Sequence, residues 1–338
     1  MRLMAITECR PGDIAADVIR NQEGSVLADR KDVLTDDMIA RMHDAGLDVV
    51  PIDWPGWEMV RPAWWLADPL VRPLQTWAEK GLAALDGDGI TQARRLSQEV
   101  ILRFSMGERR PFEWIPRYLC GNPALTAWIN TIGLTIKLTQ GFDVKWVDDY
   151  ALAAVLLGLE MPIATKAVNA ISNVRLASLT NRVRTLSSIP ATTRAAVSQH
   201  HARWDGSGDP PLKGEKIYNG ARVVGMAEFI NVLLFRTDEP ALPVNEALEW
   251  VVGGAGIDFP LDLVRLLQRT VAPYPVGTVV QLGHDELGVV LDNPHDWPAR
   301  PMIRLLNGKD AGTSIHLKEP HQHVRVITGF YNGRDIPS

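Results

Sequence analysis

Two adjacent histidines, His200 and His201, open a stretch that continues through Asp205-Gly206-Ser207-Gly208, then Lys213, Lys216 and Arg222, and ends at Glu228. These are the side-chain types that bind metal ions and phosphates. Two imidazoles and one carboxylate can hold a single divalent ion. A glycine-rich turn exposes backbone N–H groups, so together with the nearby cations it is a candidate phosphate cradle. Val197 precedes the histidines by three and four residues, which lets both imidazoles turn toward the face that Val197 buries. Glu228 shares a helical stripe with Ala221, Val224, Gly225, Asn231 and Val232. A carboxylate on so apolar a face costs free energy unless it is paired. A metal, His200, His201 or a lysine are its candidate partners. Each feature also has an ordinary explanation: a hydrogen-bonded histidine pair, a glutamate reaching solvent or an arginine, a common turn, solvated surface cations.

The elements that must position these residues are mostly helical. Pro190 suits the first turn of a helix that leads into the histidines, and "DGSGDPP" ends it near Trp204. From Leu74 to Gln268, apolar periodicity predicts helices at "LQTWAEKGLAALD", "ITQARRLSQEVILRFSM", "PALTAWINTIGLTIKLTQ", "VDDYALAAVLLGLE", "PATTRAAVSQHHARW", "NGARVVGMAEFINVLLF", "NEALEWVVGGAG" and "PLDLVRLLQRTV". Residues 1–53 predict a small α/β unit. Thr35 caps a helix that puts Met38, Ile39 and Met42 on one face, Gly46 ends it, and "LDVVPI" returns as a strand. Residues 54–110 read as a Trp/Pro-rich connector with helices, and its segment 54–73 is too rich in proline for a long uninterrupted helix. Packing against the protein's own core is the expected fate of its tryptophans. Residues 111–273 form the expected helical domain. Residues 274–338 hold short β-type runs between turn residues and predict a small antiparallel appendage.

Composition narrows the function classes. The chain has 338 residues, 46% of them hydrophobic and 22% charged, with a net charge of −5. That balance suits a globular protein and gives no general attraction to nucleic-acid polymers or anionic membranes. Cys9 and Cys120 are the only cysteines, so neither a disulfide framework nor a cysteine zinc site is expected, and a cytoplasmic setting is. The N-terminus lacks the pattern of a signal peptide. The longest apolar run, Tyr150 to Ala164, is too short to span a bilayer.

The segment from His200 to Glu228 resembles the C-terminal signature of HD-GYP proteins, a branch of the HD phosphohydrolase superfamily. That pattern runs HHE-x-x-DGSGYP-x-G-L-x-G-x-x-I, followed by an Ala-Arg helix bearing an Asp. Here it matches His200-His201, Asp205-Gly206-Ser207-Gly208, Pro210, Leu212, Gly214, Ile217, Ala221 and Arg222. Residues 246–267 are similar to the family's ending. The resemblance implies a mainly α protein with an HD-GYP-like helical core, flanked by the N-terminal unit and the β appendage. It also implies a bacterial signalling role tied to cyclic di-GMP, which family members hydrolyse with two or three metal ions, here expected as Fe or Mn if the chain is active.

Several family residues are absent. In register with the resemblance, Gly158 and Leu159 stand where the His-Asp pair belongs, and no histidine occurs between His43 and His200. The GYP tyrosine is Asp209, the Glu after the histidines is Ala202, and the helix Asp is Glu228. The expectation is therefore a degenerate member with no catalytic residues and no resident metal, or at most one ion on His200, His201 and Glu228. It would act by binding a protein partner, such as a diguanylate cyclase, or cyclic di-GMP through His200, His201, Asp205, Gly206, Ser207, Gly208, Lys213, Arg222 and Glu228. The alternative is a metal-dependent phosphodiesterase with a reduced site.

Overall fold

The computed structural model describes residues 1–57, 60–62, 68–106, 110–160 and 173–336. Trp64 and Trp65 of the connector, and Met161 to Ala164 of the apolar run, lie outside the described residues. The described helices are α1 (Asp36–Asp44), α2 (Asp68–Ala78), α3 (Gly87–Met106), α4 (Arg117–Cys120), α5 (Pro123–Phe142), α6 (Val147–Leu157), α7 (Asn173–Thr185), α8 (Ala191–Gln199), α9 (Asn219–Phe235), α10 (Val244–Gly253) and α11 (Leu261–Thr270). The described strands are β1 (Arg2–Ala5), β2 (Ile19–Arg20), β3 (Val26–Ala28), β4 (Val49–Ile52), β5 (Val279–Leu282), β6 (Leu287–Asp292), β7 (Met302–Leu305), β8 (Ser314–His316) and β9 (Ile327–Phe330). The protein is mainly α, with a small C-terminal sheet.

Two units divide the chain: Met1–Trp64, Arg109–Asn122 and Val271–Ser338 form one, and Trp65–Glu108 with Pro123–Thr270 form the other. The helical unit is built on α5 and α6. Both are apolar around most of their circumference, and such helices need neighbours on every side. Helix α5 is buried from Pro123 to Ile136 and takes α3, α6, α9 and α11 against it. Its polar residues bond within the helix: Thr131 Oγ1 donates to Ala127 O and Asn130 Nδ2 to Thr126 O. Helix α6 is buried from Tyr150 to Leu157 and packs on α3, α5 and α8. Trp128, fully buried, donates its indole N–H to Ala154 O at 2.9 Å and stacks on Trp77, with 6.4 Å between ring centroids.

In the other unit, β1 pairs antiparallel with β4, and β2 with β3. Thr35 Oγ1 accepts from Met38 N, Met42 is buried, and Gly46 takes φ +69° just past α1, as the sequence predicts. The C-terminal strands form one antiparallel sheet in the order β8-β7-β6-β5-β9. The sequence reading treats residues 1–53 and 274–338 as separate segments, whereas the structure places them in one unit. Leu3 N donates to Gly277 O at 3.0 Å, and the Arg334 guanidinium grips both carboxylate oxygens of Asp13 at 2.7 Å. Arg334 and Arg2 also lie over the Trp54 ring, 5.5 and 4.6 Å from its centroid.

Two local expectations need correction. The helix expected at "LQTWAEKGLAALD" instead begins at Asp68, runs through Pro73 and ends at Ala78, and a separate 3-10 turn follows at Gly81–Leu85. Pro73 lies in the middle of α2, where it removes one backbone hydrogen bond of an eleven-residue helix. Helix α7 was not predicted, because its apolar positions are few and its surface is rich in arginine.

Candidate functional site

Helix α8 ends at Gln199, one residue before the first histidine, and Gln199 Oε1 accepts from Tyr218 N at 2.8 Å, tying the start of α9 to the end of α8. The histidines thus occupy the turn that leaves α8 and are aimed by what that turn packs against. It packs against α9. Gly225 sits where an added Cβ would lie 2.1 Å from His200 O, so only glycine permits this approach. The close contact brings Glu228 up to both imidazoles.

Glu228 Oε2 lies 3.2 Å from His200 Nε2 and 3.1 Å from His201 Nε2. The three ligand atoms lie within 4.8 Å of one another. Among the described residues, these three are the one cluster of His, Cys, Asp or Glu able to hold a metal ion. His200 and Glu228 are buried and His201 is partly exposed. Burial acts to raise the Glu228 pKa, but the two imidazoles outweigh it and hold the carboxylate well below its usual range.

The proton arrangement on His200 is constrained. Its Nδ1 is 2.8 Å from Val197 O, and a carbonyl only accepts, so Nδ1 carries a proton. The outward nitrogen, Nε2, then faces Glu228 Oε2 and makes no hydrogen bond of acceptable geometry. A proton or a cation between them is needed, since two lone pairs would otherwise oppose each other. Glu228 Oε1 is also buried without a hydrogen bond. These two orphaned atoms, with Nδ1 oriented by a backbone carbonyl, suit the donor set for one divalent ion. They do not suit a pair of ions, which needs additional bridging and terminal ligands.

The other predicted site residues fall around this cluster without joining it. Asp205, Gly206, Ser207 and Gly208 lie in the loop after α8, and Asp205 and Ser207 are exposed. The loop's N–H groups are largely spent on internal acceptors. Asp205 N donates to Ile257 O, Gly206 N to Arg203 O, Asp209 N to His201 O, and Ser207 N to Asp205 Oδ1. The Ser207 hydrogen bonds hold the Asp205 carboxyl below its usual pKa. Lys213 is exposed. Arg222 is buried and committed: it donates to Gly214 O at 3.2 Å and Glu215 Oε2 at 3.0 Å, and lies 4.9 Å above the Trp204 ring centroid. In this state the guanidinium braces the loop. Beneath it, Ala202, Ile217 and Ala221 form a small apolar cluster with Leu212 and Tyr218.

The positions in register with the missing His-Asp pair are packed rather than open. At Gly158 an added Cβ would lie 2.2 Å from the Trp128 ring, and Leu159 is buried. Glu160, which follows, accepts from Leu179 N at 2.8 Å and so serves α7. Residues 161–172, "MPIATKAVNAIS", contain no His, Cys, Asp or Glu that could add a ligand. His43 is on α1, and the five C-terminal histidines follow Val271, so all six belong to the other unit.

Arg203 was not singled out in the sequence, yet its charge acts on Glu228 and its guanidinium lies 5.4 Å from the ring centroids of both Phe229 and Phe259. Burial lowers its pKa while the attraction of Asp258 opposes that. Only the fold brings these residues together, so sequence spacing held no signal for them.

No protein-family model matches the chain, and no curated protein does. Among solved structures, the chain is similar to a protein of Bdellovibrio bacteriovorus described as an HDG"Y"P protein, at 14% identity with a TM-score of 0.43. The match covers 78% of this chain and 97% of that one.

Proposed function

We propose that this chain is a catalytically degenerate HD-GYP-like signalling protein, one that acts in the cytoplasm by binding a partner protein or cyclic di-GMP rather than by hydrolysis. The observation that supports the reading most is the size of the ligand cluster. His200, His201 and Glu228 stand alone among the described residues, and the packed ring of Trp128 takes the space an imidazole at position 158 would need. Hydrolysis of a phosphodiester by coupled ions requires metals about 3.5–4 Å apart, clamping both attacking and leaving oxygens. Three ligands cannot hold that pair.

Within this reading a protein partner is favoured over the nucleotide. Asp209 adds a negative charge where a phosphate would approach, and Arg222 is already engaged with Glu215. Exposed apolar residues offer contact area for a partner: Ile257, whose carbonyl accepts from Asp205 N of the loop, Trp250 on α10, and Trp297, Val324 and Val326 on the appendage. The second reading, a phosphohydrolase with one ion on His200, His201 and Glu228, has the orphaned Nε2 and Oε1 atoms in its favour.

Cyclic di-GMP titrated into the protein with manganese present, followed by thermal shift and by product analysis, tests the proposal. The expected result is no cleavage. A ligand that binds only the folded state raises the melting temperature, so a shift without cleavage assigns nucleotide sensing and no shift assigns partner binding. Metal-dependent cleavage that disappears in His201→Ala would overturn both forms.

A further inference from the structure

A cavity of ≈ 370 Å³ lies in the unit that contains both ends of the described chain, away from the histidine pair in sequence. That volume is within the range of small-molecule sites. Three of the segments that wall it are locked to one another by backbone bonds: Asp53 N donates to Ile14 O at 2.7 Å and Lys31 N to Ala15 O at 2.8 Å. Ile14, Trp54 and Pro55 supply apolar wall. The guanidinium groups of Arg2 and Arg334 hold the Trp54 ring in place, so the wall is rigid before anything binds.

The charged part of the lining is biased. Arg30, Lys31 and Arg61 line the cavity against Asp17 and Asp53, a net positive surface in a chain whose total charge is −5. The charges are unequally committed. Lys31 is paired with Asp53, and Asp17 accepts from Val18 N at 2.9 Å. The Arg30 guanidinium is exposed and holds no side-chain hydrogen bond or ion pair among the described residues. Lys31 adds a separate observation. Among the described residues it is one of two non-glycine residues with positive φ, at 77°, a conformation disfavoured for a lysine and found where the surroundings impose it. Held this way, Lys31 neutralises Asp53 and leaves Arg30 as the open cation at the rim.

We infer that this cavity is a binding site for a small organic anion, a carboxylate with a flat apolar body, whose anionic group pairs with Arg30 and whose body lies on Trp54 and Pro55. The fork of an arginine matches a carboxylate with two parallel hydrogen bonds, and the rigid wall spares the ordering cost of binding. The site is independent of the histidine cluster, so it stands or falls apart from the proposed signalling function.

The test uses the full chain and three probes followed by ligand-observed NMR: 1-naphthoate, its cationic counterpart 1-naphthylmethylammonium, and inorganic phosphate. Naphthoate is expected to bind, and Arg30→Ala to weaken it by about tenfold, the loss of one charge-assisted contact. Ala16→Phe, which fills the cavity from a different wall, is expected to abolish it. Arg30 is exposed, so its variant keeps the fold, and circular dichroism checks both variants. Equal binding of the ammonium probe, naphthoate binding indifferent to both substitutions, or full competition by phosphate alone would overturn the inference.

Discussion

At the scale of single residues, the account rests on Glu228. Its carboxylate is buried against two imidazoles that also touch each other, with 4.2 Å between ring centroids. Removing one partner from a buried charged set leaves the others unpaired, and Glu228→Ala is expected to cost about 3–5 kcal/mol. Urea denaturation measures this; a loss under 1 kcal/mol would mean that the cluster is not a stabilising pair. Glu113 behaves in the opposite sense. Burial raises its pKa to about 7, with Asn293 Nδ2 donating to Oε1 at 3.0 Å as a partial offset and the Asp292 charge adding to the rise. In the unfolded chain the carboxyl ionises near 4.5. Between those values the folded state binds the extra proton, so stability is full below the lower one and falls as pH rises toward the upper. Glu113→Gln is expected to flatten the pH dependence of stability across that window, and denaturation midpoints at pH 4.5, 6 and 8 check it.

At the scale of elements, the sequence carried much of the site's placement but little of its closure. Helix α9 was legible because Asn219–Phe235 is a long, mostly apolar run, which the fold buries around most of its circumference. The stripe made Glu228 a carboxylate in need of a partner and left a metal, His200, His201 and a lysine open as candidates; the structure puts both imidazoles against it. What was not legible is how closely α8 and α9 approach, since that depends on one missing Cβ. Gly225→Ala would drive a methyl into His200 O and is expected to destabilise by about 1–3 kcal/mol, as overpacked cores do. Thermal denaturation reads the loss. The same logic constrains any attempt to rebuild the absent pair. The double substitution Gly158→His with Leu159→Asp collides with Trp128 and is expected to give little soluble protein; trimming Trp128→Ala in the same chain should recover part of it. Ready folding of the double variant with Trp128 intact would show that the packing at α6 is not the obstacle.

At the scale of the whole molecule, helical core and β appendage were readable from period and turn chemistry. The grouping of the appendage with the N-terminal residues in one unit was not. The bond between Arg334 and Asp13, and the shared use of Trp54, join residues more than three hundred positions apart, and no local pattern announces such a pair. Asp13→Asn is expected to cost about 2–3 kcal/mol in this unit, because the bidentate guanidinium keeps its charge and loses its counterion. Hydrogen exchange that rises at β1 and at residues 327–336 together would report it.

Elemental analysis of the purified chain after saturation with manganese or iron most directly tests whether a coupled metal centre exists. At most one ion per chain is predicted, lost in Glu228→Ala, with cyclic di-GMP left intact by the same sample. Two ions per chain accompanied by cleavage would contradict the account and require ligands beyond His200, His201 and Glu228.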